Sequence, residues 1–306
     1  FALGLKNALW TVITLGIYSS WARNNVRAFH YSHTELGDER FAYHGTGGEL
    51  LSGAIKAGLV LFVLALLYGG GTIVVGRYMN VEVLPANIQI AFTLALYAVI
   101  GLLVVVAING ARRYRLSRSS WRGIRFSFHG QTNDYLALMV KGFLLSVVTL
   151  GFYRPLFQSQ ARAFMVNNAR FGSEPFEYDG DGRKLFGDYL RAVLLTIPTL
   201  GLAWVWYAAA RHRYFWEHTR IAGARFSSTV TGGELLSLSL TNALLVIFTF
   251  GIAAPWAMVR LHQFWASNLR LHGAPEWATI EQRVQDASAT HEGLAEGMDI
   301  DVGIGL

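Results

Sequence analysis

Four stretches of the chain carry no charged side chain over lengths that match the thickness of a lipid bilayer. Residues 57–76, 84–111, 192–210 and 235–259 run for 20, 28, 19 and 25 residues without Asp, Glu, Lys or Arg, and a spanning helix needs roughly 20 apolar residues. The charged fraction is 15%, with 53% hydrophobic residues, where soluble domains usually hold about a quarter charged. The solvent such a sequence is written for is lipid, which makes disorder, a disulfide scaffold or a soluble enzyme poor readings. The absence of cysteine removes disulfides, thiolate metal sites and thiol nucleophiles. The formal net charge of +6 comes from arginines that flank apolar runs, the placement that orients helices against an anionic leaflet. Nucleic-acid binding needs a clustered basic face and is not expected. Residues 1–10 lack Met and the basic opening of a cleavable signal peptide, so the sequence is expected to begin inside a longer protein.

Two motifs interleave along the chain. One is Thr14-Leu15-Gly16-Ile17-Tyr18, with counterparts at Gly151, Gly201 and Gly251; the last three glycines are 50 apart. The other is a polar segment around Phe41, Phe126, Phe176 and Phe226, spaced by 85, 50 and 50 residues. Alternation such as Phe41-Ala42-Tyr43 after a Gly37-Asp38 turn predicts short β-hairpins. Thr46 with Glu49 and Thr231 with Glu234 have capping-box spacing, and each glutamate would also favour a helix N-terminus electrostatically. The expected fold is an integral membrane, mainly α-helical protein of repeated units, each a short hairpin plus helix-break-helix. One long transmembrane helical hairpin is expected around residues 77–84. Units are placed near 1–33, 34–116, 117–168, 169–218 and 219–277, followed by an acidic, mobile tail over 278–306.

Thr-Leu-Gly-Ile-Tyr-x-x-Trp-Ala over 14–22, the Phe-x-Tyr and Gly-Gly-Glu-Leu pattern over 41–50, and the terminal Asp-Ile-Asp-Val-Gly-Ile-Gly-Leu over 299–306 resemble the bacterial DUF898 or YjgN family of inner-membrane proteins. The resemblance spans nearly the whole chain and implies a multi-pass inner (plasma) membrane protein, with no catalytic residue to carry over. The chain departs from the pattern at Ala203-Trp204 and lacks a hairpin before Leu3.

Two topologies are open. Arginines fill nearly every loop except 77–84, which puts that loop in the periplasm and the others in the cytoplasm. The units at Gly16, Gly151, Gly201 and Gly251 must then re-enter, and residues 236–249 make only about 21 Å of helix against a core of about 30 Å. Pro155 and Pro255 would help break those helices. Single crossings would instead alternate the hairpins across the membrane, as inverted-repeat transporters do, and keep Arg154 at an interface rather than deep in lipid.

Arg154, Lys141 and Arg191 are the membrane-edge charges that would mark a pathway, with snorkelling as the competing account. Arg112, Arg113 and Arg115, within the basic run to Arg125, could bind anionic headgroups. His30, His33, Glu35 and His44 could form a metal site only by converging. Asp179-Gly180-Asp181-Gly182 reads as a turn rather than a calcium loop, and residues 45–48 as a hairpin exit rather than a phosphate loop. Aromatic residues near the breaks, Trp10, Tyr18, Trp21, Trp204, Trp206, Tyr207, Trp256 and Trp265, suggest interfacial anchoring or a lipid groove. No nucleophile elbow or other catalytic constellation is found, and no cofactor is expected. The expected role is binding: a scaffold or modulator of lipid, an envelope partner or another copy of the chain. The alternative is a transporter or channel with discontinuous helices at the glycine breaks.

Overall fold

The computed structural model describes residues 2–273 together with 275, 277 and 280. Nine short strands alternate with pairs of helices. The strands are β1 (Glu35–Leu36), β2 (Glu39–Tyr43), β3 (Ser119–Trp121), β4 (Ile124–Phe128), β5 (Ala169–Phe171), β6 (Glu174–Tyr178), β7 (Thr219–Ile221), β8 (Ala224–Ser228) and β9 (Leu269–His272). They form one antiparallel meander in chain order. The predicted hairpins are present, and the register extends between them: Phe41 lies opposite Trp121, Phe126 opposite Phe171, Phe176 opposite Ile221, and Phe226 opposite Leu271.

Strand periodicity then sorts the side chains onto two faces. One carries Phe41, Trp121, Phe126, Phe171, Phe176, Ile221 and Phe226 in a single hydrophobic cluster. Phe41 and Phe126 sit two strands apart, a spacing of about 9.6 Å in a flat sheet, yet their ring centroids are 6.3 Å apart. Phe126 and Phe176 are 6.4 Å apart. The aromatic face is therefore concave, and the sheet curls around its own core. The convex face carries Arg40, Arg125, Arg170, Arg220, Arg225 and Arg270 by the same alternation.

The helices are α1 (Ala2–Ile13), α2 (Ser19–Ser32), α3 (Gly47–Met79), α4 (Ala86–Ser117), α5 (Thr132–Val148), α6 (Arg154–Asn167), α7 (Phe186–Leu194), α8 (Ala203–Glu217), α9 (Gly232–Phe248) and α10 (Ala254–Ser267). A short 3-10 turn, Gly182–Leu185, precedes α7. Each pair from α3–α4 onward leaves one strand and returns to the next strand of the same sheet. Both capping boxes form, at Thr46 with Glu49 and at Thr231 with Glu234.

Of the four uncharged runs, two are single helices: α3 and α4 are 33 and 32 residues long, about 50 and 48 Å. The runs 192–210 and 235–259 are not. Each is broken by a sharp turn, at Gly201 and Gly251, and the helices on either side hold 9 to 17 residues. Pro155 and Pro255 do not make the breaks expected of them. They occupy the first turns of α6 and α10, where proline disturbs no helical hydrogen bond.

The break is made by Thr-Leu-Gly itself. Leu15, Leu150, Leu200 and Phe250 adopt left-handed φ of 50, 52, 50 and 48°, each followed by a glycine at 85 to 92°. The glycine N–H reaches back five residues, as in Gly151 to the Ser146 carbonyl at 2.6 Å, while Leu150 N–H meets the Val147 carbonyl at 3.0 Å. This is a Schellman ending with a bulky residue where glycine is usual. The threonine bridges the two helices. Thr149 Oγ1 donates to the Leu145 carbonyl at 2.7 Å and accepts from Tyr153 N–H at 3.0 Å, and Thr14, Thr199 and Thr249 do the same. One hydroxyl thus closes the end of one helix and the start of the next.

The first and last helix pairs also meet. The His30 ring of α2 packs at a tilt against that of His262 of α10, with centroids 3.9 Å apart, and a Cβ added to Gly4 would collide with Pro255. The helices therefore close a circle above the curled sheet. The expected tail over 278–306 lies outside the described residues except Ile280, which is buried in the concave core. Replacing Thr149 by Val removes the hydroxyl bridge and is expected to cost about 1 kcal/mol, with Thr149→Ser restoring it. Thermal unfolding in detergent measures both.

Candidate functional site

The helix-pair tips are the most unusual surface of the molecule. Leu15, Leu150, Leu200 and Phe250 are 94, 89, 93 and 95% exposed. Ile197, Val148 and Phe248 beside them are also exposed. A left-handed conformation costs a non-glycine residue about 1–2 kcal/mol, and here it holds an apolar side chain outward. In α3 and α4 only 17% and 6% of the most apolar 18-residue windows are buried, so these are not core helices of a soluble fold. Two helices are thus long and apolar enough to cross a membrane among the described residues.

The candidate charges divide. Arg154 stands exposed at the start of α6, its guanidinium 5.9 Å from the Trp204 ring centroid. Trp204 packs in turn on Tyr189 and Tyr207 and donates from Nε1 to Thr196 Oγ1 at 3.0 Å. Arg154 is thus held by a cluster of rings at the tip. Arg191 is exposed and pairs with Asp188 at 3.2 Å, and Lys141 is exposed on α5.

The arginines expected at a headgroup surface are placed differently. Arg112 is only 9% exposed. Arg113 donates to the Gly130 carbonyl at 2.8 Å and ties α4 to the chain entering α5, as Arg213 does with Val230 at 2.5 Å. Arg115 is partly buried. The basic run sits at the end of α4 where it packs on the sheet, so packing takes Arg112 and Arg113 away from solvent.

Glu49 does more than cap α3. Its carboxylate accepts from Arg118 Nη2 at 2.6 Å and from Tyr114 hydroxyl at 2.9 Å, which joins the start of α3 to the end of α4. The motif in sequence showed the cap but not the long-range pair. Glu234 makes the cap at Thr231. Glycine is required one position after each threonine: a Cβ at Gly47 or Gly232 would enter the indole of Trp21 or Trp206. These tryptophans, read from sequence as anchors at the breaks, also lock one helix pair to the next.

The histidines do not converge. His30 packs at a tilt against His262, His33 stacks on Phe29, and His44 Nε2 lies 2.8 Å from Ser120 Oγ. No group of three His, Asp or Glu residues suited to a metal occurs among the described residues. Asp181 accepts from Arg183 N–H at 3.0 Å and Asp179 pairs with Arg220, so this segment is a capped turn.

At the sheet ends of α2 and α8, burial holds His30 down to about 4, helped by the charges of His262 and His33. Burial likewise lowers His212 to about 4, with Arg162, Arg211 and Arg213 adding to it. Both imidazoles bind a proton more weakly folded than unfolded, so the unfolded state takes up more protons below pH 6.5. Stability present above pH 6.5 is therefore expected to fall as pH drops toward 4, and His212→Gln should flatten that loss in a thermal melt series. Separately, Glu49→Ala leaves Arg118 and Tyr114 without their acceptor and is expected to cost about 1–3 kcal/mol in the same assay.

Residues 1–205 and 190–297 match a family model described as bacterial protein of unknown function, DUF898. The chain is similar to inner membrane protein YjgN of Escherichia coli O157:H7, 33% identical over 129 residues, and of Escherichia coli K12, 32% identical over 129. Inner membrane protein YjgN of Salmonella typhimurium is 30% identical over 132 residues. Each alignment covers 42% of this chain and 28% of the relative. No solved structure matches the chain.

Proposed function

The chain belongs to the DUF898 family, and from that premise we propose that it is an inner-membrane protein that works by binding. On this reading α3 and α4 cross the bilayer, and the other helix pairs are copies of one re-entrant unit that dips into it from the cytoplasmic side. The curled sheet then forms a platform beneath. The observation that carries the proposal is the set of tips: four bulky apolar side chains, each about nine-tenths exposed, three of them on helix pairs whose two ends join strands of one sheet. Water would penalise such tips at about 25 cal/mol per Å² of apolar surface, and lipid would not. The helices of these pairs, 9 to 17 residues long, reach about 14–26 Å, short of the far side of a 30 Å core.

Re-entry also accounts for the threonine bridge. In lipid every backbone polar group needs an internal partner, and Thr149 supplies two at the point where the helix ends. The convex face supports a role in binding. Arg40, Arg225 and Arg270 are exposed there; Arg40 pairs with Glu35 and Arg220, opposite Arg225, with Asp179. A strip of this kind suits an acidic protein surface in the cytoplasm.

The absence of native cysteine makes a direct test possible. Single cysteines replace Asp38, Arg122, Gly223 and Ser267 at the sheet, and Glu82 in the loop between α3 and α4. With only the outer membrane opened, an impermeant maleimide is expected to label the Glu82→Cys chain and none of the others. Labelling of any sheet position from the periplasm would remove the platform and favour single crossings.

A further inference from the structure

The four glycine-centred units act as controls for one another, because they show what the shared fold needs at each position. Three residues past the tip glycine stand Ser19, Arg154, Trp204 and Ala254, and ten past it stand Val26, Ala161, Arg211 and Leu261. Twelve before it stand Gly4, Met139, Tyr189 and Ser239. Neither the break nor the helix pair therefore requires an arginine at these places, and both arginines fall where α6 meets α7 and α8.

Three aromatic rings at this junction form one rigid unit. Tyr189, Trp204 and Tyr207 meet edge to face, with centroids 5.5 to 5.8 Å apart, and both tyrosines are buried. Each ring has its polar atom engaged. The Tyr207 hydroxyl donates to Gln158 Oε1 at 2.8 Å, the Tyr189 hydroxyl to the Gly151 carbonyl at 3.0 Å, and Trp204 Nε1 to Thr196 Oγ1 at 3.0 Å. The Gly151 carbonyl also accepts from Arg154 N–H at 3.0 Å, so one carbonyl fixes the start of α6 against Tyr189. The rings then carry two guanidinium groups: Arg154 lies 5.9 Å from the Trp204 centroid, and Arg211 lies 5.7 Å from that of Tyr207.

Those two charges are near enough to act on each other and on Tyr207. Asp188 also acts on Tyr207, but its carboxylate pairs with Arg191 at 3.2 Å. Among the described residues no acceptor takes an N–H of the Arg154 or Arg211 guanidinium, and each has five to give. Arg154 is exposed and Arg211 half-buried. The surface around them is apolar, with Leu150 and Leu200 exposed at the tips and Phe152 and Leu202 beside them. A ligand that suits both features has an anionic group of several oxygens for the guanidinium forks and an apolar body.

We propose that Arg154 and Arg211 clamp the phosphodiester of an anionic phospholipid, whose acyl chains lie along Leu150 and Leu200. The inference rests on the reading that the tips lie in lipid, where a guanidinium without a counter-charge is costly and a headgroup drawn to the junction supplies one.

The test uses the full chain in detergent micelles, with dioctanoyl-phosphatidylglycerol as the probe and thermal stabilisation against lipid concentration as the readout. Arg154→Gln and Arg211→Gln are each expected to weaken the lipid about tenfold or more, the loss of hydrogen bonds to a charged group. Arg154→Lys keeps the charge but not the fork and should fall between Arg154→Gln and the parent. Arg122→Gln, on an exposed hairpin turn, should leave binding unchanged. Dioctanoylglycerol, which lacks the phosphate, and inorganic phosphate, which lacks the chains, should each stabilise far less than phosphatidylglycerol. If Arg211→Gln does not fold, Arg154→Gln carries the comparison, because its side chain is exposed. No stabilisation by the lipid, equal stabilisation of the arginine variants, or equal stabilisation by dioctanoylglycerol overturns the site. Inorganic phosphate as effective as the lipid overturns the lipid as occupant. Micelle titration does not depend on which way the chain sits in a bilayer, so maleimide labelling of the sheet cysteines can contradict the membrane reading while the site stands, and the reverse.

Discussion

The hydrogen bonding of nine strands into one sheet is the constraint on which everything else in this fold depends. Strands only two to five residues long cannot stand alone, and single two-stranded hairpins are marginal in water. Here each hairpin is completed by the next, so Phe126 pairs with Phe171, 45 positions further along the chain, across the α5–α6 helix pair. Because neighbouring strands must lie about 4.8 Å apart, the helix pair between them starts and finishes at one level. The geometry of the helices is inherited from the sheet, and so is the side from which they project.

That inheritance makes the tip the demanding point of each pair. A chain that turns back after 9 to 17 residues must satisfy its loose carbonyls and amides where water is scarce on the proposed reading. Thr14, Thr149, Thr199 and Thr249 answer this locally, each serving both helices. The left-handed residue that follows would be easiest as glycine, yet leucine or phenylalanine stands there with its side chain outward. On the proposed reading, apolar contact with lipid offers a return that a glycine could not give. At the opposite end, Gly47 and Gly232 accept tryptophan rings from the preceding helix pair, so small and large residues alternate where the pairs lock together.

Much of this was legible in the chain. The Thr-Leu-Gly motif marks the turns, period-two alternation marks the hairpins, and threonine three residues before glutamate marks both capping boxes. The uncharged runs 57–76 and 84–111 are carried by the two long continuous helices. The other two runs misled by composition, since Gly201 and Gly251 break them without adding charge. Prolines at 155 and 255 suggested a mechanism of breaking that their positions inside the first helical turn do not support. Arg112 looked like a surface charge because its neighbours are basic, and only the packing of α4 on the sheet buries it. Least visible were the long-range partners: Glu49 with Arg118, Arg154 over Trp204, and His30 against His262 depend on which elements adjoin, and no local spacing records that.

The central claim is that the glycine-centred tips lie in the hydrocarbon of the same membrane that α3 and α4 cross. Nitroxide labels at single cysteines replacing Leu150, Leu200 and Phe250, with Arg122 and Ser267 as sheet references, report depth through relative accessibility to oxygen and to a water-soluble nickel chelate. The account predicts high oxygen and low nickel accessibility at all three tips and the reverse at the sheet. Tips as open to nickel as Ser267 would contradict it, and the helix pairs would then stand in water.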